Sequence, residues 1–321
     1  MNASGLRETD TSVEQLLQAG WQKLPASYRM PERAPSLEAA QLYCRQLAES
    51  HYENFHVATW FLPKRLRPHF QSIYAYCRIS DDLGDEVGDA QQSLALLDFW
   101  GRELDACYRG QARHPVFVAL AETIRVCNIP KGPFADLLIA FRQDQTVQRY
   151  ETMDDVFHYC RYSANPVGQL VLYACGYREP EFFALSDFTC TALQLANFWQ
   201  DVREDDRRNR IYLPLADMKR FGVSEEQIHE QRFSAEFRAL MQHEVAFTHE
   251  LFAQGMPLLD CVDKELAVDL ALFSRGGQEI LHAIARQDYN VLRARPAISK
   301  PRKAALLLRA LAGKLTARPA A

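Results

Sequence analysis

The stretch LRPHFQSIYAYCRISDDLGDEVGD, residues 66–89, decides the fold class. Leu66, Phe70, Ile73, Tyr74 and Cys77 step at three and four residues, the period of one face of a helix. Carried into the acidic end, that helix puts Asp81 and Asp85 one turn apart on a shared face. Five carboxylates (Asp81, Asp82, Asp85, Glu86 and Asp89) then crowd together with only Arg78 at their edge. Two like charges at that spacing repel by a few tenths of a kcal/mol, and Gly84 between them costs about 1 kcal/mol against alanine. A divalent cation reverses the sign of the repulsion. Oxygen donors without His or Cys favour Mg²⁺ or Mn²⁺ over zinc. Taken alone, the cluster is equally well explained as a solvated helix end.

Working outward, the same period recurs in PVFVALAETIRVC, FADLLIAFRQ, FTCTALQLANFWQDV, FRALMQHEVAFTHELF and AVDLALFSRGGQEILHAIARQDYNVL. Strand-like alternation between turn signals is hard to find, and the punctuation at Pro31, Pro63, Pro180, Pro214, Gly222 and Pro257 is short and local. Ser36 and Ser224, each followed by Glu, read as helix starts. The expected fold is all-α, a single domain of helices over residues 31–295. A flexible segment is expected over residues 1–30 and a basic amphipathic segment over 296–321.

A second cluster, NFWQDVREDDRRNRIYLP at 197–214, repeats the four-residue step with Asn197, Asp201 and Asp205, and Gln194 precedes it on the same side. The run before it, TALQLANFW, is apolar, so the polar stripe emerges from a buried stretch. Arg207, Arg208, Arg210 and Tyr212 follow at once. Carboxylates that hold metal beside cations that clamp phosphate oxygens are what diphosphate departure requires, because charge develops on the leaving group. The pairing of both clusters outweighs the reading of each as a solvated face.

Composition narrows the rest. With 48% hydrophobic and 24% charged residues the chain is globular, and a net charge of −4 argues against general nucleic-acid binding. Eight scattered cysteines without a C-x-x-C pair read as reduced core residues of a cytoplasmic protein. No signal peptide or membrane span is evident. From Arg293 to Arg318 there are eight basic residues and no acidic one. Leu307, Leu308, Leu311 and Leu315 fall on one side of that tail, with Arg302, Lys303, Arg309 and Lys314 around them. Such a segment suits peripheral docking on an anionic membrane, or packing on the body.

The chain resembles the squalene/phytoene synthase family over nearly its whole length. The resemblance rests on DDLGD, NFWQDVREDDRRNRIYLP, NFHVATWFLP, IYAYCR and YCRYSANPVGQL in this order. It implies an isoprenoid synthase fold in which Asp81 and Asp85 face Asn197, Asp201 and Asp205 across a central cavity and hold Mg²⁺ and a substrate diphosphate. It further implies Tyr74, Arg78, Arg210 and Tyr212 around that diphosphate, His51 near its entry, Phe55, Tyr159 and Gly168 lining the cavity, and Gln194 above the metals. The strings YSANPVG and NFWQDV look like the hydroxysqualene synthase branch, which acts on presqualene diphosphate in squalene and hopanoid biosynthesis. Transient contact with presqualene diphosphate synthase and a downstream reductase would follow. Members that condense two prenyl diphosphates usually carry arginine where this chain has Gln200, whose neutrality suits one diphosphate instead of two.

Carbocation chemistry itself requires a dry cavity with aromatic faces. Tyr74, Tyr76, Phe55, Trp60, Phe198 and Trp199 are available, most of them as core packing, with Phe55 and Tyr159 the expected cation contacts. Asn165 is the candidate to position an attacking water, against its reading as a cap before Pro166. No nicotinamide is expected, since G-x-G-x-x-G after a strand is absent. Competing readings are a presqualene diphosphate, squalene or phytoene synthase, a non-catalytic binding or assembly protein on the same fold, and an all-α metal phosphohydrolase. The second would be expected to lose metal ligands, and all five are present. The third lacks both a His-Asp pair and H-E-x-x-H.

Overall fold

The computed structural model describes the backbone of residues 3–50 and 63–317 and the side chains of residues 12–50 and 63–313. Among these residues the chain is helical, and its strand-like pairing is an isolated parallel bridge between Arg149 and Ile211. The all-α expectation holds. The described residues gather into two compact units: one running to Thr146 and including Leu170–Gly176, the other comprising Val147–Gln169 and the chain from Tyr177 onward.

The first unit carries α1 (Ala3–Lys23), α2 (Leu37–Ser50), α3 (Arg67–Asp85), α4 (Ala90–Tyr108), α5 (Pro115–Cys127) and α6 (Gly132–Gln143). Its centre is aromatic. The Tyr76 ring of α3 meets Trp100, Phe117 and Phe134, and its hydroxyl donates to the Phe134 carbonyl at 2.7 Å. Tyr76 is therefore core, and its phenol has a partner, as burial demands. The segment expected to be flexible over 1–30 carries α1, whose Trp21 stacks edge-on against Phe99, with Leu24 and Tyr28 buried behind it. An apolar residue at each of those three positions gives the helix something to bury.

The second unit carries α7 (Met153–Ser163), the start of α8 (Asn165–Cys175), α9 (Pro180–Asp206), α10 (Leu215–Phe221), α11 (Glu225–His229), α12 (Ala235–Gly255), α13 (Leu258–Cys261), α14 (Lys264–Arg286) and α15 (Lys300–Ala317). The long α9 lies against α12 and α14. A Cβ on Gly277 would come within 2.4 Å of Phe252 and 2.8 Å of Leu193, so glycine permits this close approach. Trp199 is buried in the same packing and donates its Nε1–H to Thr248 Oγ1 at 2.8 Å.

Helix starts follow local chemistry. Ser36 Oγ and Ser224 Oγ accept from Ala39 N and Gln227 N, as their sequence context implies. Asp89 caps α4 through Gln92 N at 2.9 Å, and Thr152 with Asp155 forms a reciprocal capping box on α7. Each such cap contributes about 1 kcal/mol. None of the eight cysteines is in a disulfide; Cys44, Cys107, Cys127 and Cys160 are buried and Cys261 is exposed.

One buried group works against the fold. Glu244 of α12 is fully buried, and neither carboxylate oxygen has a hydrogen-bond partner among the described residues. Burial, with a smaller contribution from Asp217, pushes its carboxyl up to about 8. A folded-state acid held above its unfolded value carries no penalty below the unfolded pKa and loses stability as pH rises through the folded one. Stability is therefore expected to fall between about pH 4.5 and pH 8, by on the order of 5 kcal/mol from this residue. Glu244→Gln should flatten that slope in urea titrations, raising stability at pH 8 and leaving it nearly unchanged at pH 4.

Candidate active site

The five carboxylates of the first motif have separate fates in α3 and at its end. Asp89 is spent on the α4 cap, and Glu86 closes α3 with its backbone N–H on the Asp82 carbonyl. Asp82 points inward. Its side chain is 6% exposed, accepts the Tyr28 hydroxyl at 2.6 Å and is forked by Nε and Nη2 of Arg78. Asp81 and Asp85 remain on the outer stripe with Tyr74 and Arg78, at steps of four, three and four residues. Arg78 Nη1 reaches Asp81 at 3.6 Å, so this guanidinium bridges the structural and the outward carboxylate. Loss of water, then repulsion from Asp85, raises the Asp81 carboxyl to about 6 even though 45% of its side-chain surface stays open. Burial likewise raises the Tyr74 phenol, opposed by Arg78.

The Gly84 carbonyl accepts Gln145 Nε2 at 3.1 Å and Ser93 Oγ at 3.2 Å. The end of α3 is thereby held by side chains from beyond α6 and from α4.

The second motif occupies the last turns of α9. Asn197 is exposed, and Asp201 and Asp205 are partly buried, in the four-residue ladder that the sequence implies; Gln194 lies one turn earlier, partly buried. On the adjoining face Phe198 stacks on Tyr212 at 3.7 Å with planes 7° apart. Tyr150 stacks on Tyr212 at 5.5 Å, and Tyr159 closes the group against Tyr150, Tyr212 and Phe198 at 5.6–6.0 Å. Tyr212, expected at the diphosphate, is thus a member of an aromatic cluster, and Phe198 belongs to it as well as to the core. The turn carrying Arg210 and Tyr212 is fixed by Arg149, which donates to the Asn209 carbonyl at 2.6 Å, to Asn209 Oδ1 at 3.1 Å and to Glu225 at 2.9 Å.

Asn165 opens α8 and is buried, with its Oδ1 accepting the Thr191 hydroxyl at 2.9 Å. Three residues on, a Cβ at Gly168 would lie 2.4 Å from Ser186 Oγ and 2.5 Å from Cys190 Sγ, so its bareness lets α8 approach α9 closely. Ser163, one turn after Tyr159, has a buried hydroxyl with no hydrogen-bond partner among the described residues. His51, Phe55 and Trp60 lie outside the described residues.

Gln200 is buried, and its Oε1 accepts from Arg295 Nη2 at 3.1 Å; Arg295, from the C-terminal side of the chain, also pairs with Asp201. Sequence reasoning missed Arg295 and Arg149 because both act over large chain separations; the basic run RARP is the only local sign of the former.

The donor set suits a hard cation. In the first unit Asp81 and Asp85, and in the second Asn197, Asp201 and Asp205, each offer oxygen donors alone. Among the described residues no three His, Cys, Asp or Glu side chains are gathered to hold a metal ion. No described helix is long and apolar enough to cross a membrane.

Comparison with known proteins adds a consistent set of likenesses. Residues 48–302 match the squalene/phytoene synthase family. The chain is 30% identical to the 15-cis-phytoene synthase of Synechococcus elongatus, over 88% of this chain and 95% of that one. It is 34% identical to the hydroxysqualene synthase of Rhodopseudomonas palustris, over 74% and 80%. Among solved structures, squalene synthase HpnC from Alicyclobacillus acidocaldarius superposes with a TM-score of 0.76 at 43% identity, covering 84% of this chain and 99% of that one. The all-α architecture is the isoprenoid synthase fold of such neighbours.

Proposed function

The chain belongs to the squalene/phytoene synthase family and is an enzyme acting on prenyl diphosphates; on that premise we propose that it is a hydroxysqualene synthase. In this reading presqualene diphosphate loses its diphosphate, the cyclopropylcarbinyl cation rearranges, and water adds to give hydroxysqualene. The observation that carries the reading is the second unit's pairing of an oxygen-only ladder, Asn197–Asp201–Asp205, with four mutually packed aromatic rings on the adjoining face. The ladder in the second unit, and the Asp81–Asp85 pair in the first, would each bind Mg²⁺, which neutralises charge on the departing diphosphate. Ring faces stabilise positive charge without attacking it. The 34% and 43% identities to proteins of the squalene branch, and the Ser163–Pro166 segment, support the particular step.

Water capture needs a polar group beside those rings. Asn165 Oδ1 already accepts the Thr191 hydroxyl, so the buried Ser163 hydroxyl joins it as a candidate. The C–O bond to diphosphate breaks with its electron pair on the leaving oxygen, water forms the new C–O bond, and its proton leaves with the diphosphate. In ¹⁸O-labelled water the alcohol should carry one heavy oxygen, and Ser163→Ala should shift product toward unhydroxylated hydrocarbon. An alcohol without the label, or no alcohol at all, would contradict the step.

A second reading, condensation of two prenyl diphosphates, is favoured by the longer match to 15-cis-phytoene synthase and by the guanidinium that Arg295 brings to Gln200. Product identity separates the two.

Docking of α15 on an anionic membrane belongs to the same proposal. Leu307 is partly buried, with Ala310 buried and Gly313 against Val268 of α14, whereas Leu308 and Leu311 are 64% and 45% exposed; the Leu315 side chain lies outside the described residues. Arg302 is drawn to Glu279 at 3.3 Å, and Lys303 and Arg309 are exposed beside the free leucines. Leu308→Ser with Leu311→Ser should abolish co-flotation with phosphatidylglycerol vesicles and leave turnover on detergent-dispersed substrate intact. Equal flotation of wild type and variant would remove the proposal.

A further inference from the structure

The last turns of α9 are stapled to the loop at 290–296 by polar contacts from three residues, Gln200, Asp201 and Arg203. Gln200 donates its amide to the Pro296 carbonyl and accepts from Arg295. Arg295 reaches both oxygens of Asp201, with Nη2 on Oδ2 at 3.0 Å and Nε in a shorter contact on Oδ1. Arg203 donates to the Arg293 carbonyl at 2.7 Å, and Asn290 Oδ1 holds Arg293 N at 3.1 Å. Gln200 is 5% exposed and the Asp201 side chain 14%, so these are inner contacts, while Arg295 remains about half open.

The geometry matters because of what Asp201 is assigned to do. A guanidinium that forks a carboxylate takes the facing lone pair of each oxygen. A divalent cation on the same carboxylate must use an outer lone pair beside a positive charge, or displace the guanidinium. Within a few ångströms like charges repel appreciably even in a partly hydrated setting.

We propose that Gln200 is a positioning residue that holds Arg295 on Asp201, so that docking of the 290–296 loop and binding of a divalent cation at Asp201 compete. The inference rests on the assignment of Asp201 as a metal ligand. In an α9 arginine at position 200 the cation would be fixed to the helix; here it travels with the loop. Metal binding would thereby loosen the segment that leads into α15, and anchoring of that segment would lower metal affinity.

The test is Mn²⁺ binding to the full-length protein, followed by electron paramagnetic resonance with and without inorganic diphosphate. Hydrogen exchange of residues 290–297 is followed with and without Mg²⁺. Arg295→Met should tighten Mn²⁺ binding about tenfold, roughly what removal of one close charge is worth. Arg295→Lys should fall between, and Gln200→Leu should tighten it less than Arg295→Met but speed loop exchange. Mg²⁺ should speed exchange of the loop in the wild type. A purely structural Gln200 would change exchange without moving Mn²⁺ affinity. Unchanged or weaker Mn²⁺ binding in both Arg295 variants would overturn the competition. If Asp201→Asn bound Mn²⁺ as the wild type does, the metal assignment would fall, and this inference with it.

Discussion

Asp81→Ala and Asp201→Ala are each expected to lower turnover by about three orders of magnitude while leaving the helical fold in place. The size follows from removing one preorganised group that acts on charge developing in the transition state. The stability side is specific to each residue. Asp81 is raised by lost hydration and by Asp85, so its removal relieves repulsion and should leave the melting temperature equal or higher. Asp201 loses its pair with Arg295, a residue 49% exposed, and such a pair contributes about 1 kcal/mol or less. Circular dichroism with steady-state kinetics separates the two effects. Substantial turnover in either well-folded variant would sink the metal assignment.

Asp82→Ala, one residue along, should do the opposite: a loss of about 3 kcal/mol in stability, with any fall in activity tracking unfolding. Asp82 is nearly buried between Tyr28 and Arg78, and removing one partner of a buried charged network leaves the other unsatisfied. Arg78 keeps 30% exposure and a distant contact with Asp81, which places the cost at the low end of such losses. Urea unfolding measures it. A variant as stable as wild type but inactive would make Asp82 part of the chemistry and not of the fold.

These adjacent aspartates show how far sequence carries. Helical spacing separates Asp81 and Asp85 from their neighbours, and the same spacing finds Asn197, Asp201 and Asp205, because a ladder on one helix is a local property. Asp82 looks identical on paper; only Tyr28, 54 residues away, reveals it as a structural anchor. Gln200 reads as the absence of a cation until Arg295 arrives from 95 residues downstream. The aromatic group is half legible: Phe198 and Tyr159 stand out, whereas Tyr150 and Tyr212 join through a turn that Arg149 fixes. The tail shows its amphipathic period, but which leucines are free depends on how α15 meets α14.

The measurement that bears most directly on the function is incubation of purified protein and Mg²⁺ with presqualene diphosphate and, separately, with farnesyl diphosphate, with products identified by mass spectrometry. The expected result is hydroxysqualene from the first and no product from the second. Presqualene diphosphate, squalene or a longer hydrocarbon formed from prenyl diphosphates would contradict the assigned step.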